Sequence, residues 1–253
     1  MKNENLILND ALKRLKLPVF QREYEAAARQ AGRENWDYAA FLEHLAESEL
    51  KSREAKRIQR LLKQARFPAP KELSEFNFSA LPSINKGNIL ELSRGEFIDR
   101  CENVVLLGGP GVGKTHLATA LGRECCRRGR KVRFLTAAGL VNMCIEARDD
   151  KQLLRLEKQI RRMDLIILDE LGYLPLERSG AEHLFQFFSN CYEQVSLIIT
   201  TNLPFSEWPS VFAGDERLTG ALLDRLTHKV HIMEIEGDSY RFKQRLKADK
   251  HKE

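Results

Sequence analysis

Gly108-Gly109-Pro110-Gly111-Val112-Gly113-Lys114-Thr115 is a complete G-x-x-x-x-G-K-T run, and it decides the reading of this chain. It follows the apolar stretch Val104-Val105-Leu106-Leu107 and precedes a helical pattern, which is the strand-loop-helix context that a phosphate-binding loop needs. Glycines let the backbone wrap so that successive N–H groups face phosphate oxygens, and the helix that follows adds the positive end of its dipole. Lys114 supplies a mobile positive charge to the terminal phosphates, and Thr115 presents a hydroxyl to Mg²⁺. His116 stands next to these groups at the start of the helix.

Downstream of the loop, apolar strands alternate with helices, the mark of a parallel sheet with crossover connections. Strands are expected near Asn103 to Leu107, Val132 to Leu135, Leu165 to Leu168, Leu197 to Thr200 and Val230 to Ile235. The third runs into Asp169-Glu170, which brings two carboxylates to the carboxyl end of the sheet, where ligands of such folds bind. Asp169 suits the metal and Glu170 suits polarising a water for in-line attack. The fourth strand ends in Thr201-Asn202, and Asn202 places a neutral amide at the same edge, able to orient that water. Between Arg217 and Leu226 a helical segment offers two arginines, Arg217 and Arg225. Such an arginine could reach the γ-phosphate of a neighbouring subunit or simply serve as a solvated or ion-paired side chain.

Upstream, residues 4–66 read as three or four short helices broken at Pro18 and between Gly32 and Asp37, with the last running from Glu49 to Arg66. Phe67-Pro68-Ala69-Pro70 then closes the pattern, so the expected division is a helical domain over 1–68 and an α/β domain over 69–253. From Lys51 to Arg66 the last of these helices carries Lys51, Arg53, Lys56, Arg57, Arg60, Lys63 and Arg66 against Glu54 alone. That local excess surpasses the +5 of the whole 253-residue chain and makes this helix the best candidate for an anionic partner such as duplex DNA. Two other basic stretches compete, Arg123 to Arg133, which closes a core helix, and the segment from Arg241.

The composition, with 43% hydrophobic and 30% charged residues, is that of a globular protein. No apolar run approaches the roughly 18 residues of a membrane span, and the N-terminus lacks a secretory pattern, so a cytoplasmic protein with no membrane partner is expected. The five cysteines form no C-x-x-C pair or zinc spacing and read as fillers.

Gly113-Lys114-Thr115-His116-Leu117-Ala118, Leu168-Asp169-Glu170-Leu171-Gly172-Tyr173, Thr200-Thr201-Asn202-Leu203-Pro204, Leu222-Leu223-Asp224-Arg225-Leu226 and Ser239-Tyr240-Arg241 together resemble the AAA+ ATPase superfamily. Within it they are most similar to the IstB members of the DnaA/DnaC/IstB branch. The resemblance implies an α/β P-loop core with a five-stranded parallel sheet, preceded by a small all-α domain. It also makes Gly108 to Thr115 the Walker A loop, Asp169 and Glu170 the Walker B pair, Asn202 sensor 1 and Arg225 an arginine finger. The residues after the last strand, 236–253, are too few for the helical lid of the wider superfamily, so no C-terminal lid is expected and Arg241 has no clear sensor role.

The implied function is an ATP- and Mg²⁺-dependent ATPase that oligomerises on duplex DNA with ATP sites between subunits, remodels the DNA and assists a transposase encoded by the same insertion sequence. A DnaC-like replicative helicase loader, or a DNA-binding scaffold switched by ATP with little turnover, would share the same motifs. A GTPase or small-molecule kinase fits less well, given Glu170, Asn202 and the lack of an Asn-Lys-x-Asp motif.

Overall fold

The computed structural model describes residues 6–173, 175–237 and 239–240. The chain divides into two compact units, and the division falls between Arg60 and Leu61.

The first unit is built from α1 (Leu6–Arg14), α2 (Pro18–Glu34) and the greater part of α3 (Tyr38–Ala65). Pro18 sits in the first turn of α2, where its missing N–H costs nothing. Leu17, the residue before it, has no side chain that can cap, so the task falls to Glu49. Its buried carboxylate accepts the Val19 N–H at 2.8 Å. Burial alone would raise the Glu49 carboxyl, but the Arg53 guanidinium and the N–H groups of Val19 and Phe20 outweigh it and hold the group below the ordinary carboxylate range. Asn35, at φ +54, ends α2 in the left-handed conformation. Asp37 then accepts the Ala40 N–H at 2.7 Å and caps α3. α3 is one helix of 28 residues rather than a short one beginning at Glu49. The switch from acidic to basic composition near residue 50 is no helix breaker, and no glycine or proline lies between Tyr38 and Ala65.

The second unit contains α4 (Lys86–Ser93), α5 (Glu96–Asp99), β1 (Asn103–Gly108), α6 (Lys114–Arg127), β2 (Val132–Thr136), α7 (Ala137–Asp149) and α8 (Leu153–Ile160). These are followed by β3 (Leu165–Leu171), α9 (Arg178–Cys191), β4 (Ser196–Thr201), α10 (Trp208–Val211), α11 (Glu216–Thr227) and β5 (Val230–Ile235). All five expected strands form, and they pair in parallel in the order β2-β3-β4-β1-β5. Helices cover both faces, which explains why the central strands read as continuous apolar runs. Val104, Leu106, Leu165, Ile167 and Ile198 point to one layer with Leu117 and Leu121 of α6. Val105, Ile166, Leu168, Leu197 and Ile199 point to the other, with Leu140, Leu184 and Leu222 of α7, α9 and α11. Leu61 and Ala65 belong to the first of these layers.

Cys125 and Cys126 are buried within this core, where desolvation pushes their thiols up to about 12 and about 11. Thiols held in this protonated form are poor nucleophiles and metal ligands, in keeping with a packing role. No helix among the described residues is long and apolar enough to cross a membrane.

Candidate nucleotide site

Because β1 lies between β4 and β5 while the chain leaves it for the far edge strand β2, the loop after β1 opens at the carboxyl ends of the central strands. That is where α/β sheets bind ligands. A cavity of about 760 Å³ occupies this position. The loop from Pro110 to Thr115 lines one end of it together with His116, Glu170, Thr200 and Asn202.

Gly113 is at φ +101, a conformation that side-chain-bearing residues rarely adopt, and a Cβ there would lie 2.8 Å from the Phe76 ring. Both features call for glycine. Lys114 is 8% exposed as a residue, and its ammonium donates to the carbonyl oxygens of Gly108 and Gly109 at 2.7 Å each, which holds its stem along the loop. Across the cavity floor the Thr115 hydroxyl donates to the buried Asp169 carboxylate, 3.0 Å from Oδ1 and 3.1 Å from Oδ2. A hydroxyl and a carboxylate are hard oxygen donors that suit Mg²⁺. A single protein carboxylate is enough where substrate phosphates and water complete the shell, and no cluster of three His, Cys, Asp or Glu residues suited to a metal exists among the described residues.

β3 does not stop at Asp169. It continues to Leu171 through an irregularity in its pairing with β4, and Glu170 adopts φ +60 there. The Glu170 side chain is exposed and, like Asn202 at the end of β4, lines the cavity. The Thr200 hydroxyl, which the sequence reading did not single out, is buried between the Walker B residues. It donates to Asp169 Oδ1 at 2.5 Å and accepts the Glu170 N–H at 2.9 Å.

His116 directs its ring at the connector that precedes α4. Its Nε2 lies 2.9 Å from the Glu72 carbonyl oxygen, which requires the proton on Nε2, and its ring meets Phe76 edge-on at 5.3 Å. The Glu72 carboxylate in turn accepts from Arg123 and from Arg127 of α6. Burial raises the Glu72 carboxyl, yet the two guanidinium groups more than offset this and leave it below its ordinary range. Glu72 thus bolts the connector before α4 to the helix behind the loop. That connector, through Phe76, Asn77 and Leu81, lines the cavity, with Phe76 against Gly113 of the loop and the Tyr240 N–H donating to the Gly111 carbonyl. Phe76, Asn77 and Leu81 lie in none of the motifs quoted above, whereas Tyr240 lies in the Ser239-Tyr240-Arg241 run. Of the basic stretch from Arg123 to Arg133, Arg123 and Arg127 serve Glu72, and Arg130 pairs with Asp99.

Arg225 is not in the cavity. It is half-buried on α11, donates to the Ala221 carbonyl at 2.7 Å and lies 5.1 Å from the centroid of the Phe185 ring. Within α3, Lys51 pairs with Glu47 at 2.8 Å, and Arg53 is held by Glu49 at 2.8 Å and by the Lys16 carbonyl at 2.6 Å. Arg57 lies 3.6 Å from Glu54. Lys56, Arg60 and Lys63 are exposed and make no ion pair among the described residues. Arg241 lies outside the described residues.

Comparison with known proteins places this geometry in a family. A sequence model described as IstB-like ATP binding protein matches residues 10–248. The ATP-binding protein of insertion sequence IS5376 from Geobacillus stearothermophilus is 41% identical over 244 residues, which cover 95% of this chain and 96% of that protein. Among solved structures, the replication initiator DnaA bound to AMPPCP and single-stranded DNA superposes with a TM-score of 0.54 at 23% identity, covering 72% of this chain and 56% of its own. The DnaC helicase loader does so with a TM-score of 0.52 at 20% identity, covering 70% of this chain and 99% of its own. These two likenesses show an AAA+ fold. With one family's sequence model spanning residues 10–248 and a relative of that kind matched nearly end to end, the chain belongs to the IstB-like ATP binding proteins.

Proposed function

We propose that this AAA+ ATPase is the ATP-driven helper of an insertion sequence: with Mg²⁺ it binds and hydrolyses ATP, assembles with further copies on duplex DNA in the cytoplasm, remodels that DNA and assists the transposase of its element. The observation that carries the reading is the convergence of Lys114, the Thr115–Asp169 pair, Glu170 and Asn202 on one cavity at the carboxyl edge of the sheet. The insertion-sequence origin of the relative favours a transposase over a replicative helicase as partner.

The loop N–H groups and the Lys114 ammonium bind and neutralise the β- and γ-phosphates. Thr115 and Asp169 would hold Mg²⁺, which offsets the charge that builds on the phosphate oxygens. Glu170 accepts the proton of the attacking water, and Asn202 orients that water toward phosphorus. Phe76 and its neighbours receive the base. Arg225 acts on the site of an adjacent subunit, which requires its guanidinium to leave Phe185 at a cost of about 0.5–2 kcal/mol for a half-buried cation–π contact. The helical residues 1–68, and Lys51, Arg53, Lys56, Arg57, Arg60 and Lys63 within them, supply the DNA-facing charge.

The test is a pair of variants. Lys114→Ala is expected to lose ATP binding in a titration with a fluorescent ATP analogue. Glu170→Gln is expected to bind that analogue normally while phosphate release falls at least about a hundredfold, within the range for loss of a general base. Wild-type binding by the first variant or wild-type turnover by the second removes the assignment.

A further inference from the structure

Thr200 opens the Thr200-Thr201-Asn202 run but has been given no role above; it is 1% exposed and occupies the one position of β4 that faces the irregularity in β3. Leu168 pairs with Ile199 and Leu171 with Thr201, so Asp169 and Glu170 together stand opposite Thr200 alone. Such a bulge leaves one residue outside the backbone ladder. The residue affected is Glu170, whose N–H is taken by the Thr200 hydroxyl instead of a carbonyl. Glu170 also sits at φ +60, a left-handed conformation that costs a non-glycine residue roughly 1–2 kcal/mol and persists only where its surroundings impose it.

A hydroxyl has one proton to give and two lone pairs to receive. Thr200 spends its proton on Asp169 Oδ1 and a lone pair on the Glu170 N–H. One buried oxygen therefore fixes both the rotation of the first carboxylate and the backbone direction from which the second departs. The geometry points to Thr200 as a positioning residue for ATP hydrolysis, one that sets the placement of Glu170 relative to Asp169. The inference rests on the roles given above to those two carboxylates.

The experiment uses the full chain with Thr200→Val, which keeps the shape and removes both hydrogen bonds, Thr200→Ser, which keeps the hydroxyl, and Glu170→Gln. Three quantities are read: kcat for ATP, affinity for the fluorescent ATP analogue, and hydrogen exchange at the Glu170 amide. Thr200→Val is expected to lose about 10- to 100-fold in kcat, the range seen when a group orienting a metal-side ligand is removed. Nucleotide affinity should hold and protection of the Glu170 amide should fall, while Thr200→Ser restores both kcat and protection. If Thr200→Val does not fold, Thr200→Ala is read in the same way. Wild-type kcat in Thr200→Val beside an inactive Glu170→Gln overturns the inference and leaves the site assignment standing. Wild-type kcat in both overturns the assignment itself. A loss of kcat that serine does not restore, or one matched by an equal loss of nucleotide affinity, shows that Thr200 only supports the fold, and the inference falls.

Discussion

Replacing Lys56 and Arg60 together by alanine should change how strongly DNA binding responds to salt. Both side chains are exposed on α3 without an ion pair among the described residues, so their removal should alter stability by no more than about 0.5 kcal/mol. A four-residue separation stacks them on one helix face with a rise of about 6 Å. That is close to the roughly 6.8 Å that two phosphate steps of one strand cover along a duplex, so each can reach its own phosphate. Each phosphate neutralised contributes about −0.9 to the slope of log K against log salt, and the double variant should therefore flatten the slope by about 1.8. Between 50 and 200 mM salt this amounts to roughly tenfold: the variant binds far more weakly than the parent at low salt, and the gap narrows by that factor at high salt. The assay is fluorescence anisotropy of a labelled duplex in the presence of a non-hydrolysable ATP analogue, across a salt series. Arg178→Ala, whose guanidinium is held by Glu182 on α9 and is not among the residues assigned to DNA, is the comparison and should leave the slope near that of the parent. A folded double variant whose slope is unaltered would refute the assignment of this helix face to DNA.

Glu49→Ala should lower the stability of the helical unit by about 2–4 kcal/mol, since it removes a carboxylate that accepts the Val19 N–H and the Arg53 guanidinium; urea unfolding followed at the Val19 amide checks this. Because the folded-state pKa of Glu49 lies below the ordinary 4.5, its contribution is complete above that pH and fades as pH falls through the depressed value. The variant should therefore show a flatter acid limb, and equal acid sensitivity in the two proteins would count against the carboxylate cap. Arg225→Ala and Glu170→Gln should each be inactive alone and partly active when mixed, because a mixed interface can pair an intact Glu170 with an intact Arg225. Mixtures without ATPase activity at every ratio would leave Arg225 as a brace for Phe185.

Local chemistry was legible from sequence wherever a residue type is required by backbone geometry or by bonding. The loop from Gly108 to Thr115 and the strand carrying Asp169 were visible because tight turns need glycine and buried parallel strands need unbroken apolar runs. The length of α3 was not, since a change in charge composition resembles a boundary while leaving the helical hydrogen bonds intact. Thr200 read as an ordinary strand residue, because a bulge is set by the pairing of two strands and leaves no mark in either one. The wall built by Glu72 and Phe76 depends on Arg123 and His116, more than forty residues away, and such contacts have no local period to betray them.

The Glu72 fixture bears on affinity as well as on shape. Ordering a backbone segment costs about 1–2 kcal/mol per residue in conformational entropy, and a wall left loose until nucleotide arrived would draw that sum from the binding free energy. Here Arg123, Arg127 and His116 order the connector as part of folding, so the wall to which the base is assigned above is already set in the folded chain. Exchange of spent nucleotide for fresh can then be governed by the phosphate end alone. On the function proposed above, the presence or absence of a γ-phosphate would be the variable that the rest of the molecule senses, while the adenosine end would stay constant through the cycle.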